Sequence, residues 1–186
     1  FVGQLGYASE HLTQEINEAR NKVQLVPKVV PTFVATKTRS RPVLDVACGH
    51  NFTIVVTKAG EVWAFGEGGV GQLGCGRISK VMIPRLVIEG PGLVQAVCGW
   101  AHVLARTEVG DVLCWGFNQF GQLGLGDLKP RFTPECIEGL YATDIVASGH
   151  DSGALTHQDE VMVWGSQAGA TVQAIASLSQ CKVSSL

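Results

Sequence analysis

The sequence predicts an all-β fold, namely part of a β-propeller with about three four-stranded blades and a short helical insertion. Three observations predict it: the chain repeats itself every fifty residues, each repeat holds four short strand-like runs, and glycines bound those runs. A feature repeated in register usually builds architecture, because an active site is normally needed once. The pattern therefore favours a structural or binding role over catalysis.

The repeat is clearest where a glycine ends a strand-like run. Aligning Gly49 with Gly99 and Gly149 brings the residues that follow them, His50, Trp100 and His150, to one phase of the repeat. The other matching elements are Glu61–Gly66 with Asp111–Gly116 and Glu160–Gly165, and Gly71–Gly74 with Gly121–Gly124. Glycine suits these points because the backbone must turn sharply or approach a neighbour closely there.

Short runs rich in apolar and β-branched residues predict four strands in each of the first two repeats. In the first repeat they are Val43–Cys48, Phe52–Thr57, Glu61–Phe65 and Ile83–Ile88. In the second they are Val94–Cys98, Val103–Thr107, Val112–Trp115 and the stretch around Pro134–Ile137. Trp115 and Trp164 stand beside glycines at the ends of third strands, and we expect both in the core.

Composition and charge exclude several classes of protein. The chain has 186 residues, of which 46% are hydrophobic and 16% charged, which is a globular composition. A net charge of −2 argues against direct binding to nucleic acid. No stretch reaches the ~18 apolar residues of a transmembrane helix, and no signal-peptide pattern opens the chain. We therefore expect an intracellular protein, cytoplasmic or nuclear, without a membrane span.

One glycine pattern could suggest a bound nucleotide. Gly66 to Gly71 matches GxGxxG, but its counterpart from Gly116 to Gly121 lacks the middle glycine, and no helical pattern follows. Gly68 thus looks like an incidental substitution in a structural loop. We expect no cofactor.

The cysteines and histidines could suggest a reactive or metal-binding site. Cys48 with His50 would be a nucleophile and base, or a metal set together with Cys98, His102 and His150. Equivalent positions of adjacent blades fan apart, however, and none of the six cysteines forms a CxxC pair. We expect reduced thiols, no metal and no catalytic residue.

Two motifs identify a family. Gly60–Gly66 reads Gly-Glu-Val-Trp-Ala-Phe-Gly and is followed by Gly-Gln-Leu-Gly, and Gly110–Gly116 reads Gly-Asp-Val-Leu-Cys-Trp-Gly and is followed by the same element. Together they resemble the regulator of chromosome condensation repeat family over roughly residues 25 to 165. The resemblance implies a seven-bladed propeller, so that this chain would need the remaining blades of a parent protein to close the ring.

The same motifs divide the chain. Residues 1–6 contain a further Gly-Gln-Leu-Gly and are predicted to end a preceding blade, and residues 25–165 carry the propeller repeats. Residues 7–24 are an insertion predicted to be helical. Its apolar positions that share one helical face are Leu12, Ile16, Ala19 and Val23. Residues 166–186 lack the Gly-Gln-Leu-Gly element and are predicted to be a degenerate blade, a linker or an unstructured tail.

We expect the partner-binding residues on the face that bears the turns after the repeated glycines. Aromatic and imidazole rings offer large rigid contact areas with a polar handle. The candidates are His50, Trp100, His102, His150, Phe117 and Phe120. The alternative is that each ring only packs over its own blade or bonds a neighbouring loop.

The predicted function is that of a protein–protein interaction propeller in an intracellular regulatory protein. The resemblance implies an alternative, since the founding family member is a guanine nucleotide exchange factor for the small GTPase Ran. Such exchange needs no covalent catalysis, because the propeller would act by binding the nucleotide-free partner more tightly. The expected partners are thus a protein, with a small GTPase as one candidate, and the remaining blades of the parent chain.

Overall fold

The computed structural model describes residues 29–34, 40–90 and 92–175. In these ranges a short 3-10 helix, Pro31–Phe33, precedes eleven strands. The strands are β1 (Val43–Cys48), β2 (Phe52–Thr57), β3 (Val62–Glu67), β4 (Lys80–Ile88), β5 (Leu93–Cys98), β6 (His102–Thr107), β7 (Asp111–Gly116), β8 (Arg131–Ser148), β9 (Asp151–Thr156), β10 (Val161–Gly165) and β11 (Gly169–Ala174).

The strands form three four-stranded antiparallel blades. Strands β1 to β4 make the first blade as a separate sheet in that order. The other seven strands form one sheet because β8 belongs to two blades: its first part pairs with β7 as far as Tyr141, and the rest, from Ala142, pairs with β9. The predicted all-β architecture of about three blades is confirmed. The unbroken strand between the second and third blades is an addition that the sequence did not indicate.

The core lies between the blades. Successive residues of a strand point to opposite faces, so β6 sends Val103 into the cluster shared with the first blade and Leu104 into the cluster shared with the third. A middle strand therefore needs an unbroken apolar run, which is why β2 and β6 do not alternate with polar residues.

Each junction between blades is fastened by a tryptophan of the later blade. The Trp115 Nε1–H donates to the Gln72 carbonyl oxygen at 3.1 Å, and the Trp164 Nε1–H donates to the Gln122 carbonyl oxygen at 2.9 Å. Both rings are fully buried, which confirms the prediction that they are core residues. Their only polar atom thus finds an acceptor in a place that water does not reach.

The Gly-Gln-Leu-Gly element is the socket for this tryptophan. Its glutamine supplies the carbonyl, its leucine is buried in the junction, and its last glycine leaves room for the indole. A Cβ built on Gly124 would lie 2.9 Å from Trp164 Nε1, and one on Gly74 would lie 3.0 Å from Trp115 Nε1. The spacing of this element from the tryptophan of the next repeat is therefore set by contact between blades.

The third blade is out of phase with the sequence alignment by one residue. Phe52 pairs with Gly66 and His102 with Gly116, but the residue that pairs with Gly165 is Asp151. Ser148, and not Gly149, is thus the equivalent of Gly49 and Gly99. The alignment of the three glycines at one phase was wrong for the third repeat, because one residue is lost within β8, between Cys136 and Ala142. The turn before β9 has its usual length, since four residues separate Ala147 from its partner Ser152, as four separate Cys98 from Val103.

Residues 169–174 of the C-terminal segment form the fourth strand of the third blade. Strand β11 pairs with β10 through a tight turn in which Gly165 lies opposite Gly169. It also contacts the loop that carries the socket of the second blade, since the Gly126 N–H donates to the Ala170 carbonyl at 2.9 Å. The equivalent bond at the preceding junction runs from the Gly76 N–H of the first blade to the Phe132 carbonyl of the second, at 2.8 Å. The turn is too short to hold a Gly-Gln-Leu-Gly element.

Several sequence predictions fall outside the described residues. They are the preceding blade end at 1–6, the helical insertion at 7–24 and the last part of the C-terminal segment at 176–186. Within the described ranges, no helix has the length and apolar character needed to cross a bilayer.

Two glycine substitutions can distinguish the cost of crowding the indole from the cost of an unfavourable backbone conformation. Gly124 and Gly126 have similar φ values of +71° and +77°, but a Cβ on Gly126 would meet only Thr171, at 3.9 Å. We expect Gly126→Ala to cost about 1 kcal/mol of unfolding free energy through its left-handed backbone. Gly124→Ala should cost about 1–3 kcal/mol more through crowding against Trp164. Equal losses in chemical denaturation would show that the socket does not need this space.

Candidate protein-interaction surface

One face of the blades carries both the turns between first and second strands and the loops between third and fourth strands. The turns are bonded to each other across the blades. The His50 N–H donates to the Trp100 carbonyl at 3.0 Å, and the Trp100 N–H donates to the Gly149 carbonyl at 2.8 Å. The bonds hold successive turns at a fixed spacing, because each runs from one blade to the next.

Five rings on this face form a continuous chain of contacts, the aromatic strip, made of His50, Trp100, His150, Phe120 and Phe117. The ring centroids of His50 and Trp100 lie 5.3 Å apart, and those of Trp100 and His150 lie 5.1 Å apart. His150 also contacts Phe120 at 4.6 Å and Phe117 at 6.0 Å. These distances are within the range of favourable aromatic contacts.

The aromatic strip remains open to solvent. Trp100 is 50% exposed and Phe120 is 46% exposed, although both have ring neighbours. His50 is exposed, and His150 and Phe117 are half-buried. Large rings that stay exposed while their backbone is hydrogen-bonded give an apolar surface of fixed shape.

Comparison with known proteins decides the family. Residues 59–106 and 109–155, which together are just over half of the chain, match the regulator of chromosome condensation (RCC1) repeat. The chain belongs to the RCC1 repeat family. The resemblance seen in the sequence motifs is thereby confirmed.

Two curated relatives are similar in sequence to parts of this chain. The chain is 42% identical to Protein RCC2 of Homo sapiens over 94 residues. The aligned region covers 46% of this chain and 18% of that protein. It is 41% identical to the E3 ubiquitin-protein ligase highwire of Drosophila melanogaster over 70 residues. This aligned region covers 37% of this chain and 1% of that protein. The chain thus spans less than a fifth of the length of these relatives.

A solved propeller has a similar arrangement of blades. Prp20p from Saccharomyces cerevisiae matches with a TM-score of 0.65 and 25% sequence identity, over 78% of this chain and 34% of that one. The partial coverage agrees with an RCC1 propeller of which this chain holds only some blades.

His102 is not part of the aromatic strip, so its prediction as a partner-binding residue is corrected. It is the first residue of β6, its ring is fully buried between the second and third RCC1 blades, and its Nε2 lies 2.9 Å from Ser152 Oγ. A Cβ on Gly99 would collide with the ring. The repeated glycine of this turn therefore makes room for the first side chain of the following strand.

The hydrogen bonds of His102 show which ring nitrogen carries the proton. Ser152 Oγ–H donates to the Gln122 carbonyl at 2.8 Å, so the hydroxyl oxygen must accept from His102 Nε2–H. The ring Nδ1 is buried and has no hydrogen-bond partner in the described part of the chain. Burial, with a smaller effect of nearby His150, lowers the pKa of His102 to about 4, and Asp151 opposes this shift. A second proton would create a buried N–H without an acceptor.

The two loops that border the aromatic strip are built differently. In the second blade Asn118 is fully buried, and its Nδ2–H donates to the carbonyls of Asp127 and Lys129 at 2.9 and 3.1 Å. In the first blade Gly68 takes this position, and a Cβ there would collide with the Ile78 carbonyl. Gly68 is therefore required by close backbone packing and is not incidental. The GxGxxG pattern leads into antiparallel strand β4 and not into the helix of a nucleotide site.

Two of the described thiols, Cys48 and Cys136, are exposed, and the other three are half-buried or buried. All five described cysteines are free, and burial raises the pKa of Cys98 and of Cys114 well above the usual value. Thiols held in this way are poor nucleophiles at neutral pH. The described residues contain no cluster of His, Cys, Asp and Glu that could hold a metal ion.

Sequence reasoning missed the glutamine that supports the aromatic strip. Gln122 is fully buried beneath Phe120 and His150, although glutamine is seldom buried. The available signal was its recurrence as Gln72 in the Gly-Gln-Leu-Gly element.

The buried state of His102 makes stability depend on pH in a defined direction. Between about pH 6.5, where the unfolded chain takes up the proton, and pH 4, where the folded chain does, the unfolded state binds more protons. Stability should therefore fall as the pH is lowered through this window, by about 3 kcal/mol in total from this group. Denaturation at a series of pH values measures the loss.

The control for this prediction is His102→Phe, which installs the residue that occupies the same position of the first blade, Phe52. Subtracting its pH profile removes the contribution of all other groups. Parallel profiles for the two proteins would show that His102 titrates normally in the fold.

Proposed function

We propose that this RCC1 propeller segment is a protein-interaction module of an intracellular regulatory protein, and that its contact surface is the aromatic strip. The observation that carries the proposal is the continuous ring contact across three successive blades, with Trp100 and Phe120 about half exposed. Interfaces are enriched in such rings because a rigid side chain loses little entropy on binding and removes a large apolar area from water.

The loops beneath the strip support a binding role over a packing role. Their backbone groups are already bonded to one another, as in the bond from His50 N–H to the Trp100 carbonyl. A partner would then meet a surface that needs little rearrangement, which lowers the cost of association. A ring that served only to pack over its own blade would be expected to bury most of its surface, whereas Trp100 leaves half of its surface in water.

The relatives support the same function. Protein RCC2 and the ubiquitin ligase highwire are much longer than this chain, and Prp20p is known for binding properties toward Gsp1p and histones. We extend to this chain only the general role of binding a protein. The remaining blades of the parent would complete the ring, and the parent would act in the cytoplasm or nucleus.

Removing the Trp100 ring tests the surface. Trp100→Ala in the full-length parent should weaken binding to its protein partner by about 30-fold, the effect of losing roughly 2 kcal/mol at an interface hot spot. The partner is first identified by affinity purification and mass spectrometry, and its binding is then measured with purified components. The thermal midpoint should change little, since the ring is half exposed.

The matched control is Val109→Ala, which removes another exposed apolar side chain, 73% exposed, from the β6–β7 turn at the opposite ends of the strands. It should leave binding unchanged. A lower thermal midpoint for Trp100→Ala with unchanged binding would assign Trp100 to packing and contradict the proposal.

Guanine nucleotide exchange on a small GTPase is the second candidate, favoured by the likeness to Prp20p. Exchange would need no catalytic residue, because a propeller face that binds the nucleotide-free GTPase more tightly accelerates release. A release assay with the full-length parent and a panel of GTPases carrying a fluorescent guanine nucleotide would decide. No acceleration across the panel would leave the binding module as the function.

A further inference from the structure

Gln122 makes contacts on two sides of the junction between the second and third blades. On the core side its carbonyl oxygen accepts the Trp164 indole N–H at 2.9 Å and the Ser152 hydroxyl at 2.8 Å. On the surface side its Oε1 accepts the Phe120 N–H at 3.0 Å, and its Nε2 lies 3.4 Å from His150 Nδ1. One fully buried residue thus joins the tryptophan of the third blade to two members of the aromatic strip.

These contacts fix the orientation of the Gln122 amide. Since Oε1 accepts from the Phe120 backbone, Nε2 is the group that faces His150 and donates to its Nδ1. The imidazole must then carry its proton on Nε2. The amide holds His150 between the rings of Trp100 and Phe120, at 5.1 and 4.6 Å.

The first blade supplies a natural comparison. Gln72 makes two of the same bonds, because its Oε1 accepts the Val70 N–H at 3.0 Å and its carbonyl accepts the Trp115 indole N–H at 3.1 Å. Val70 replaces Phe120 in this loop. The socket role of the carbonyl is therefore common to both glutamines, whereas the bond from the side chain to a ring of the strip belongs to Gln122.

We propose that Gln122 is the positioning residue of the aromatic strip, and that it couples the docking of the third blade on the second to the orientation of Phe120 and His150. The strip has its observed shape only while the junction is closed, because one residue is bonded to Trp164 and to the strip at the same time. The proposal rests on the proposed function in treating the strip as a contact surface.

Substitutions of Gln122 separate the role of its side chain from the role of its backbone carbonyl, which every variant retains. Gln122→Met keeps the carbonyl and the approximate volume but removes the donor to His150. Gln122→Glu keeps an acceptor for Phe120 and places a carboxylate at Nδ1. Because the amide donates to Nδ1 whereas a carboxylate can only accept there, the His150 ring proton should lie on Nε2 in the wild type, and Nδ1 should carry a proton in the Glu variant. The ring 15N chemical shifts report this difference, and the Met variant, which has neither group at Nδ1, should give shifts between those of the other two.

The control is Gln72→Met, which makes the same change in the socket of the first blade and should leave the His150 ring 15N shifts in place. Loss of stability alone, with equal His150 ring shifts in all variants, would show that Gln122 acts only through its carbonyl, and would overturn the proposal. The measurement needs no partner, so its failure is distinct from failure of the Trp100 binding test.

The coupling to the junction has its own test. Trp164→Phe removes the indole N–H bond to the Gln122 carbonyl but keeps an aromatic ring in the core, and we expect it to move the His150 ring resonances. The matched Trp115→Phe change in the other junction should leave them in place. Equal responses to both changes would contradict coupling through Gln122.

Wild-type protein provides a further check in case a variant does not fold. Through-space NMR contacts should join the Gln122 side-chain amide protons to the His150 ring. Their absence in the folded protein would overturn the proposal without any substitution.

Discussion

The hydrogen bond from a buried indole to a loop carbonyl of the preceding blade is the contact on which this fold depends. A single blade exposes apolar side chains on both faces, so it becomes stable only when a neighbour covers each face. Trp115 and Trp164 bring their rings to the junctions, and the Gln72 and Gln122 carbonyls accept their N–H groups. A glycine under each ring leaves the necessary room. The third blade has a tight turn where this socket would lie, so it cannot offer the same fastening to a further blade.

The exposed surface is a consequence of how the junctions are closed. The loop that receives Trp164 also carries Phe117 and Phe120, so the docking of the third blade brings His150 against both rings. Bonds between successive turns place Trp100 between the two histidines. A contact surface built in this way uses residues of three blades, and none of these blades could form it alone.

Buried polar side chains, and not apolar ones, distinguish the loops and turns from one another. In the loop of the second blade, the Asn118 side chain bonds to two backbone carbonyls. In the loop of the first blade, Gly68 takes this position and lets the Ile78 carbonyl pack closely against it. His102 and Ser152 form a hydrogen-bonded pair inside a junction where the first blade has Phe52. Such groups are tolerated because each finds a partner, and they make successive junctions chemically different within one repeat pattern.

The sequence by itself determined the number of blades, the first two sets of strands and the burial of Trp115 and Trp164, because period, β-branched runs and glycine positions are local properties. It identified the rings of the strip, but its alignment misplaced His150 by one residue, and it counted the buried His102 among the partner-binding residues. Only the tertiary structure decided these points. A side chain changes face with every residue along a strand, so the loss of one residue within β8, before the third blade begins, reverses which residues of the alignment point to a neighbour. Which rings then touch depends on the distance between blades, and that distance is set by packing around the buried indoles.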